Sequence, residues 1–376
     1  MTDDPRWSSE AHARLNVESP DVRFMRQALT LAERGAGQVS PNPKVGALVV
    51  KDGEVVGEGW HARYGEAHAE VHALRTAGAK AHGATLYVTL EPCNHHGKTP
   101  PCVDAILEAG ITRVVCALRD PNPVAAGGLE QLRSAGLLVE HGTLADLARI
   151  QNAPFLHRVR VPDLPFVTLK LATSLDGAIV DATRRPGWIT GPESRRAVHA
   201  LRAEADAVAI GIGTALADDP ALTVRDVPSP RQTPTRVVFD RHARLPLDST
   251  LVRTAGDTPL VVITAGRHPH AESALRQAGA RVVIAADMRR SLQELRALGL
   301  AHVLVEGGAV IASELLAAGL VQHLIIFQAP VILGAGAVQA FGALPSQGVE
   351  AAPRLRVLDR REYGADLMTR YAVSGD

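Results

Sequence analysis

A histidine and two cysteines in the first third of the chain constrain its fold more than any other feature of the sequence. His68 begins the tripeptide His68-Ala69-Glu70, and Cys93 and Cys102 bound the run CNHHGKTPPC. Zinc prefers a tetrahedral set of nitrogen and thiolate ligands, and a catalytic zinc site leaves the fourth position open for water. One histidine and two cysteines supply that set. A fold that uses them must bring together segments that are far apart in the sequence.

Composition narrows the class of protein. The chain has 376 residues, which is long for one core and favours two domains. Its 40 basic residues balance its 40 acidic residues, and this neutrality argues against a nucleic-acid-binding protein. Three cysteines are too few for a disulfide scaffold, and two of them lie close together beside histidines, which indicates metal binding in a reducing compartment. Cys116, in the apolar run RVVCAL, is expected in the core.

The sequence predicts a cytoplasmic protein without a membrane segment. Residues 1–17 are polar and lack the apolar stretch of a signal peptide. The apolar runs at 45–50 and 323–333 are shorter than the ~20 residues that a membrane-spanning helix needs. Residues 1–18 are predicted to form a flexible leader.

Residues 19–157 are predicted to form an α/β domain with a mixed sheet. The apolar spacing at 21–33 is typical of an amphipathic helix, and VGALVV, a Lys-Asp-Gly turn and EVVGEG predict a β-hairpin. Helix and strand patterns then alternate as far as the short strand LLVEHG. The order β-β-α-β-α-β-α-β favours a mixed sheet with helices packed on it.

A second domain is predicted over residues 165–376. Pro154, Pro162 and Pro165 interrupt the pattern and indicate a domain boundary. Beyond them, strand patterns from FVTLKLA to HLIIFQAPVIL alternate with helix patterns, which is typical of a largely parallel sheet. This half lacks a G-x-G-x-x-G sequence, so a Rossmann fold is disfavoured.

The residues around the histidine and the cysteines favour a catalytic zinc site. Both ligand groups open predicted helices, where free backbone N–H groups and the helix dipole favour a thiolate. Zinc lowers the pKa of a bound water to about 7. Glu70 is then placed as a proton shuttle rather than as a ligand. A structural zinc site, or a buried cysteine pair beside solvent-exposed histidines, is the alternative, and neither explains Glu70.

This pattern resembles the H-x-E and P-C-x-x-C signature of zinc-dependent nucleobase deaminases. It departs from the signature at one point, because eight residues rather than two separate Cys93 and Cys102. The longer gap, with PNPKVGALVV and GWHARYGEAHAE upstream, resembles the bifunctional riboflavin-biosynthesis deaminase/reductase family. The resemblance implies a cytidine-deaminase-like fold and one catalytic zinc ion bound by His68, Cys93 and Cys102.

The same resemblance implies a set of substrate contacts in the first domain. Asn42 is expected to hydrogen-bond the pyrimidine or its ribose, although an asparagine between two prolines is also a common turn former. The other expected contacts are His61, His96 and Lys98.

In the second domain, FVTLKLATSLDGAI, the long run from WITGPESRR to DDPALTVR, and LVEGGAVIASELL resemble the reductase of that family. The resemblance covers most of residues 165–334. It implies a dihydrofolate-reductase-like fold that binds NADPH.

The cofactor is expected where Glu306-Gly307-Gly308 ends a strand and opens a helix. Glycines there let the backbone approach a pyrophosphate while helix N–H groups point at it. Gly308, Ala309 and Val310 are therefore predicted to bind the cofactor, and a tight strand–helix turn is the alternative. The resemblance implies that the nicotinamide and its ribose are lined by Ala172, Trp188, Thr214 and Asp218. A core aromatic is the alternative for Trp188.

The reductase substrate is expected to contact four residues. The resemblance implies that Arg202 and Arg225 bind its phosphate, which suits guanidinium groups because they bind phosphate oxygens in pairs. It also implies that Glu306 contacts the substrate. Lys170 is placed near the point of hydride transfer, where it either stabilises an opened, imine-like sugar or orients the sugar hydroxyls.

Two positions depart from the family pattern. Pro186 stands where a substrate-binding serine is common, and Arg241 stands after Asp240 where a small residue is common. Arg241 is in a position to meet the 2′-phosphate of the cofactor, which would favour NADPH over NADH.

The resemblance therefore implies a bifunctional enzyme that acts on a small pyrimidine nucleotide-like molecule. The predicted reactions are deamination of 2,5-diamino-6-ribosylamino-4(3H)-pyrimidinone 5′-phosphate and NADPH reduction of its ribosyl side chain to ribityl. No nucleic-acid or membrane partner is expected. The chain is expected to assemble into a homo-oligomer. The rivals are a zinc deaminase for cytosine or adenosine in nucleotides or tRNA, and a deaminase-like binding protein with an inactive site. The intact zinc set and Glu70 disfavour the second rival.

Overall fold

The computed structural model describes residues 18–95, 100–185, 187–345, 348–350 and 352–373. The chain divides into two compact units, Met1–Asn152 and Ala153–Asp376. Each unit has a main β-sheet and helices, in agreement with the predicted α/β class. The predicted domain limits, 19–157 and 165–376, stay predictions.

The described residues of the first unit form an alternating series of helices and strands. Its helices are α1 (Pro20–Ala32), α2 (Ala69–Ala77), α3 (Cys102–Glu108), α4 (Gly128–Ser134) and α5 (Ala145–Gln151). Its strands are β1 (Gly46–Lys51), β2 (Glu54–Trp60), β3 (Thr85–Val88), β4 (Arg113–Cys116) and β5 (Leu138–His141).

The sheet of the first unit has the strand order β2-β1-β3-β4-β5. β1 is antiparallel to β2 and β3, whereas β3, β4 and β5 are mutually parallel neighbours. This confirms the predicted mixed sheet. Cys116 is fully buried in the core, as predicted. The parallel arrangement places the carboxyl ends of β3 and β4 at one edge, and Cys93 follows β3 there.

Strand β2 and helix α2 approach so closely that no side chain fits between them at two positions. A Cβ atom at Gly57 would lie 2.2 Å from the Ala73 carbonyl oxygen, and one at Gly59 would lie 2.2 Å from the Ala69 carbonyl oxygen. These glycines are two residues apart on a strand, so both face the helix. Their contact fixes the position of α2 and of His68, the residue at its N-cap.

The second unit begins with α6 (Ala153–Arg160) and contains the larger sheet. Its other helices are α7 (Pro192–Glu204), α8 (Ile212–Asp218), α9 (Thr250–Arg253), α10 (Pro269–Gln277), α11 (Met288–Ala297) and α12 (Ala309–Ala317). Its strands are β6 (Phe166–Thr173), β7 (Ala178–Val180), β8 (Ala207–Gly211), β9 (Thr235–Phe239), β10 (Leu260–Thr264), β11 (Arg281–Ile284), β12 (His302–Glu306), β13 (His323–Gln328), β14 (Val338–Gln339), β15 (Arg356–Tyr363) and β16 (Asp366–Ala372).

The main sheet of the second unit has the order β11-β10-β9-β8-β12-β6-β13-β16-β15. Neighbouring strands from β11 to β13 are parallel, and β16 is antiparallel to both β13 and β15. This confirms the predicted, largely parallel sheet. Ligands of open α/β sheets bind outside the carboxyl ends of the strands. The residues that follow β8, β9 and β12 are grouped at that edge.

Three local features differ from the sequence-based expectations. The interruption expected between Gln151 and Pro165 is mostly helical, because Pro154 lies in the first turn of α6, where a missing N–H breaks no helical hydrogen bond. The strand expected to reach Leu333 ends at Gln328, shortly before Pro330. The β15–β16 hairpin was not expected, because charged side chains interrupt its apolar alternation.

Among the described residues, no helix combines the length and the apolar character that crossing a bilayer requires.

We expect Gly59→Ala to destabilise the first unit, because the added methyl group would overlap backbone atoms of α2. Overpacking of this kind typically costs about 1–3 kcal/mol of unfolding free energy. The matched control is Gly256→Ala in the second unit, where an added Cβ atom meets nothing within 4 Å. Calorimetry measures the unfolding temperature of both variants. Equal unfolding temperatures for the two variants would contradict the close approach of β2 and α2.

Candidate active sites

Three side chains from separate segments of the first unit converge at one point. The His68 Nδ1 atom lies 3.2 Å from the Cys102 Sγ atom and 3.5 Å from the Cys93 Sγ atom. The three ligand atoms all lie within 4.8 Å of one another. In a tetrahedral zinc site, donors of these types are about 3.5–3.8 Å apart. The structure thus brings together the three predicted ligands, and their donor set fits zinc.

Local structure explains how the three residues meet. His68 is the N-cap of α2 and Cys102 is the first residue of α3, as expected, whereas Cys93 lies in the segment after β3. The Cys102 backbone N–H donates a hydrogen bond to the Cys93 Sγ atom at 3.4 Å. A hydrogen bond from the Cys102 thiol lowers the pKa of Cys93 to about 4, and His68 adds to this effect. The same contact and burial raise the pKa of the Cys102 thiol.

Glu70 lies beside these ligands in the first turn of α2 and is 3% exposed. Burial raises the pKa of its carboxyl group, and the nearby His68 offsets only part of that rise. A carboxyl group with a raised pKa can accept and donate a proton near neutral pH. Position and protonation therefore both suit Glu70 to general acid–base chemistry.

His61 lies next to His68 and contacts Asn42. The rings of His61 and His68 are 5.4 Å apart between centroids. The His61 Nδ1 atom is 3.2 Å from the Ala67 carbonyl oxygen, and its Nε2 atom is 3.2 Å from the Asn42 Nδ2 atom. His61 therefore donates from Nδ1 and accepts from Asn42, and burial lowers its pKa and keeps the ring neutral. The two other predicted contacts, His96 and Lys98, lie outside the described residues.

In the second unit, a buried ion pair stands at the end of β12. Glu306 is the last residue of β12 and pairs in register with Lys170 on the adjacent strand β6. Arg202, from α7, donates to both Glu306 carboxylate oxygens, with Nη2 3.0 Å from Oε2. Its Nη1 atom donates to the Thr223 carbonyl oxygen at 2.9 Å. Three predicted reductase residues are thus neighbours.

The charges of this group are poorly screened, because the side chains of Arg202 and Glu306 are 12% and 13% exposed. Burial alone would raise the pKa of Glu306, but Arg202 and Lys170 outweigh it and hold that pKa below its ordinary value. Burial also lowers the pKa of Lys170, an effect that Glu306 partly opposes and Arg202 reinforces. The cluster therefore contains a firmly ionised carboxylate beside a lysine that releases its proton more readily than usual.

Most of the predicted cofactor residues in this unit lie at the start of α12, in α8 and on β6. Gly308 is the N-cap of α12, and a Cβ atom there would lie 3.4 Å from the Thr214 Oγ1 atom in α8. Ala309 and Val310 form the first turn of α12, and Val310 is 75% exposed. Asp218 ends α8, and Ala172 lies on β6. The carboxyl edge of the sheet therefore offers free backbone N–H groups to a ligand.

Three other predicted positions lie at the surface. Trp188 is 78% exposed and stacks with Arg195, whose Cζ atom is 5.1 Å from the ring centroid, so the alternative of a core aromatic is wrong. Arg225 is exposed two residues after Thr223. Arg241 lies 3.6 Å from Glu314 in an exposed ion pair. Pro186 lies outside the described residues.

Two family models match the chain. The cytidine and deoxycytidylate deaminase zinc-binding region matches residues 18–118, and the RibD C-terminal domain matches residues 165–369. The riboflavin biosynthesis protein RibD of Aquifex aeolicus is 42% identical, covering 94% of this chain and 98% of that protein. Its Escherichia coli counterpart is also 42% identical, with coverages of 92% and 98%.

The chain belongs to the RibD family. The structure of Acinetobacter baumannii RibD is similar, with a TM-score of 0.80 and 38% identity over 95% of this chain and 99% of that one. A Thermotoga maritima structure also has a TM-score of 0.80, with 35% identity and coverages of 94% and 99%. RibD proteins join a zinc-binding deaminase domain to a reductase domain that uses NADPH, so this chain is a bifunctional enzyme of riboflavin biosynthesis. A deaminase for cytosine or adenosine alone would leave the second unit unexplained.

The RibD deaminase unit contains one buried carboxylate to which the sequence analysis gave no role. Glu91 is 5% exposed and accepts hydrogen bonds from the backbone N–H groups of Asp120, Gly127 and Leu129 at 3.0–3.1 Å. It stands two residues before Cys93, so these bonds anchor the ligand-bearing segment to the residues before and within α4. An acidic residue directly after the apolar strand pattern was the available signal.

We expect Cys102→Ser to lower the zinc content from about one ion per chain, because a serine hydroxyl is a poor zinc ligand. Metal analysis of the purified variant measures this. Cys116→Ser is the matched control, since Cys116 is also buried but donates to the Leu118 carbonyl oxygen, a bond that serine can keep. Normal zinc in Cys102→Ser would show that the ligand set is wrong.

Proposed function

We propose that the two units act in succession on one small pyrimidine nucleotide-like molecule. The first deaminates 2,5-diamino-6-ribosylamino-4(3H)-pyrimidinone 5′-phosphate, and the second reduces the ribosyl side chain of the product to ribityl with NADPH. The observation that carries the proposal is the buried Glu70 carboxyl beside a complete zinc ligand set, in a chain that also has a reductase unit. The similar Thermotoga maritima protein is named a diaminohydroxyphosphoribosylaminopyrimidine deaminase/5-amino-6-(5-phosphoribosylamino)uracil reductase.

In the deaminase unit, Glu70 moves the protons. Deamination replaces an exocyclic amino group with oxygen from water and releases ammonia. When bound, zinc would act as a Lewis acid that lowers the pKa of a water molecule. Glu70 takes a proton from the attacking water and delivers it to the ring nitrogen, and it then takes the remaining proton of the added hydroxyl group and gives it to the departing amine, so that a carbonyl group forms and ammonia leaves. Its raised pKa suits both directions of transfer.

Asn42 and His61 bind and orient the substrate in this proposal. The His61 ring is fixed by its bond to Ala67 and in turn accepts one amide hydrogen of Asn42. That orientation leaves the Asn42 amide oxygen as an acceptor for the pyrimidine or its ribose. His96 and Lys98 are proposed as further contacts from the sequence alone.

In the reductase unit, the residues mainly provide geometry. NADPH, when bound, supplies the hydride. Its pyrophosphate is assigned to the α12 N-terminus at Gly308, Ala309 and Val310, and its nicotinamide half to Ala172, Trp188, Thr214 and Asp218. Lys170 either stabilises the opened sugar or orients its hydroxyls, and its place beside Glu306 suits both roles.

The two arginines expected at the substrate phosphate, Arg202 and Arg225, have different roles in the proposal. Arg202 commits most of its donors to Glu306 and Thr223, so it acts on the substrate chiefly by holding the Glu306 carboxylate. Arg225 has an exposed guanidinium and is the main phosphate ligand in the proposal.

Cytoplasmic localisation and assembly into a homo-oligomer are further parts of the proposal and rest on the sequence. Light scattering of the purified protein tests the second.

We expect Glu70→Gln to retain zinc and lose deamination, because the amide keeps the size of the side chain but cannot shuttle protons. Loss of a general acid–base group typically lowers the rate ~10²–10⁴-fold. Steady-state assays of ammonia release, with metal analysis of the same sample, measure both effects. Reduction of supplied deaminated substrate serves as the internal control and should be unchanged. Wild-type ammonia release by this variant would overturn the assigned role.

We expect Arg225→Ala to raise the KM for the reductase substrate and to spare the KM for NADPH. Hydrogen bonds to charged groups are strong enough that the rise should be roughly 10- to 150-fold. Arg241→Ala is the paired variant and should affect the KM for NADPH instead, if Arg241 meets the cofactor 2′-phosphate. Measuring both KM values in both variants separates the assignments. A defect toward NADPH alone in Arg225→Ala would contradict the phosphate role.

A further inference from the structure

Two side chains on one face of α7 hold the segment that carries Arg225. Arg202 donates from Nη1 to the Thr223 carbonyl oxygen at 2.9 Å. His199, three residues earlier on the same helix, accepts a hydrogen bond from the Arg225 backbone N–H at its Nδ1 atom, at 3.2 Å. Residues three apart on a helix face the same way. Helix α7 therefore contacts the segment 223–225 at its first residue and at its last.

The hydrogen bond to His199 specifies the state of its ring. An Nδ1 atom that accepts a hydrogen bond carries no proton, so the neutral ring has its proton on Nε2. His199 is 8% exposed, which removes competition from water for this bond. A protonated ring would present an N–H to the Arg225 N–H and would lose the bond.

Charged groups on three elements face His199. Arg202 lies on its own helix, Arg225 and Asp226 lie on the neighbouring segment, and Glu306 lies at the end of β12. Burial lowers the pKa of His199 below its ordinary value of 6.5, and the two arginines lower it further, while the two carboxylates oppose the shift. The ring is therefore neutral at pH 7, in the form that the hydrogen bond requires.

We propose that His199 is a positioning residue of the reductase, which holds Arg225 where its guanidinium meets the phosphate of the substrate. His199 does this through the backbone of Arg225 and not through contact with the reacting atoms. The inference rests on the proposed role of Arg225 as phosphate ligand. His199 lies in the run ESRRAVHALRAE, and the sequence analysis assigned it no role.

Two substitutions at this position separate hydrogen bonding from packing. His199→Leu keeps a similar volume and removes the acceptor. His199→Asn restores an acceptor, because the asparagine Oδ1 atom occupies nearly the same place as the histidine Nδ1 atom. Arg196→Ala, at an exposed position one turn before His199 in α7, is the control for changes to the helix.

The substrate for the assay is 5-amino-6-(5-phosphoribosylamino)uracil, with KM and kcat measured separately. His199→Leu should raise the KM for this substrate roughly 3- to 10-fold, the effect of one lost hydrogen bond, and should leave the KM for NADPH unchanged. His199→Asn should recover most of the lost affinity, and Arg196→Ala should behave as the wild type. An unchanged KM for NADPH also shows that His199→Leu is folded. Equal substrate KM values in His199→Leu and the wild type would overturn the proposal, as would a failure of His199→Asn to restore affinity.

The pH profile gives a readout that simple packing would not move. As the pH falls through the lowered pKa of His199, below 6.5, the ring gains a proton and the Arg225 N–H loses its acceptor. The wild type should therefore lose substrate affinity in acid more steeply than His199→Asn, which does not titrate there. The substrate phosphate ionises equally in both assays, so the ratio of the two KM values isolates the histidine. A ratio that does not change with pH would contradict the proposal.

A double variant distinguishes failure of this inference from failure of the proposed function. If Arg225→Ala leaves the substrate KM unchanged, the phosphate role of Arg225 is wrong. If Arg225→Ala raises that KM but His199→Leu does not, the phosphate role stands and the positioning role is wrong. In Arg225→Ala/His199→Leu, the second substitution should add little, because its effect passes through Arg225. Full additivity would overturn the inference.

Discussion

The buried ion pair between Arg202 and Glu306 is the interaction on which the reductase site depends. Removing a charge from water costs several kcal/mol, so neither side chain would be stable in its position without the other. The pair joins α7 to the end of β12, and the remaining donors of Arg202 extend the connection to Thr223. Lys170 adds a second cation beside the shared carboxylate. One electrostatic contact therefore sets the relative positions of the helix, the central strands and the segment that carries Arg225.

The two units use the same part of their architecture for unrelated chemistry. In the first, Cys93 follows the parallel strand β3, and His68 and Cys102 begin helices. In the second, Glu306 ends the parallel strand β12, and Gly308 begins a helix. Helix starts expose backbone N–H groups that are free to bind anions or thiolates. Where neighbouring strands are parallel, the helices that follow them begin at the same edge of the sheet. Each site therefore lies at that edge of its own sheet.

Sequence reasoning recovered the features that local spacing encodes and missed those that depend on distant segments. The zinc ligands and Glu70 lie in short motifs, and the strand and helix periods of both units were clear. The contacts of Glu91 and His199 were not, because their partners come from segments at 120–129 and 223–225 whose return to the site has no local signal. The β15–β16 hairpin was hidden by charged residues that a half-exposed edge tolerates. Pro154 was misread as a break because a proline also fits the first turn of a helix.

The anchoring of Glu91 has a consequence for how this enzyme family can vary. Glu91, two residues before Cys93, is fixed by three backbone N–H groups that donate to its carboxylate. Cys102 is fixed as the first residue of α3, and its N–H donates to the Cys93 sulfur. The two cysteines are thus held by contacts that lie outside the chain connecting them. Eight residues can stand where other zinc deaminases have two. The connection is a position where insertions can diversify specificity during evolution, or be exchanged by an engineer, while the metal centre stays intact.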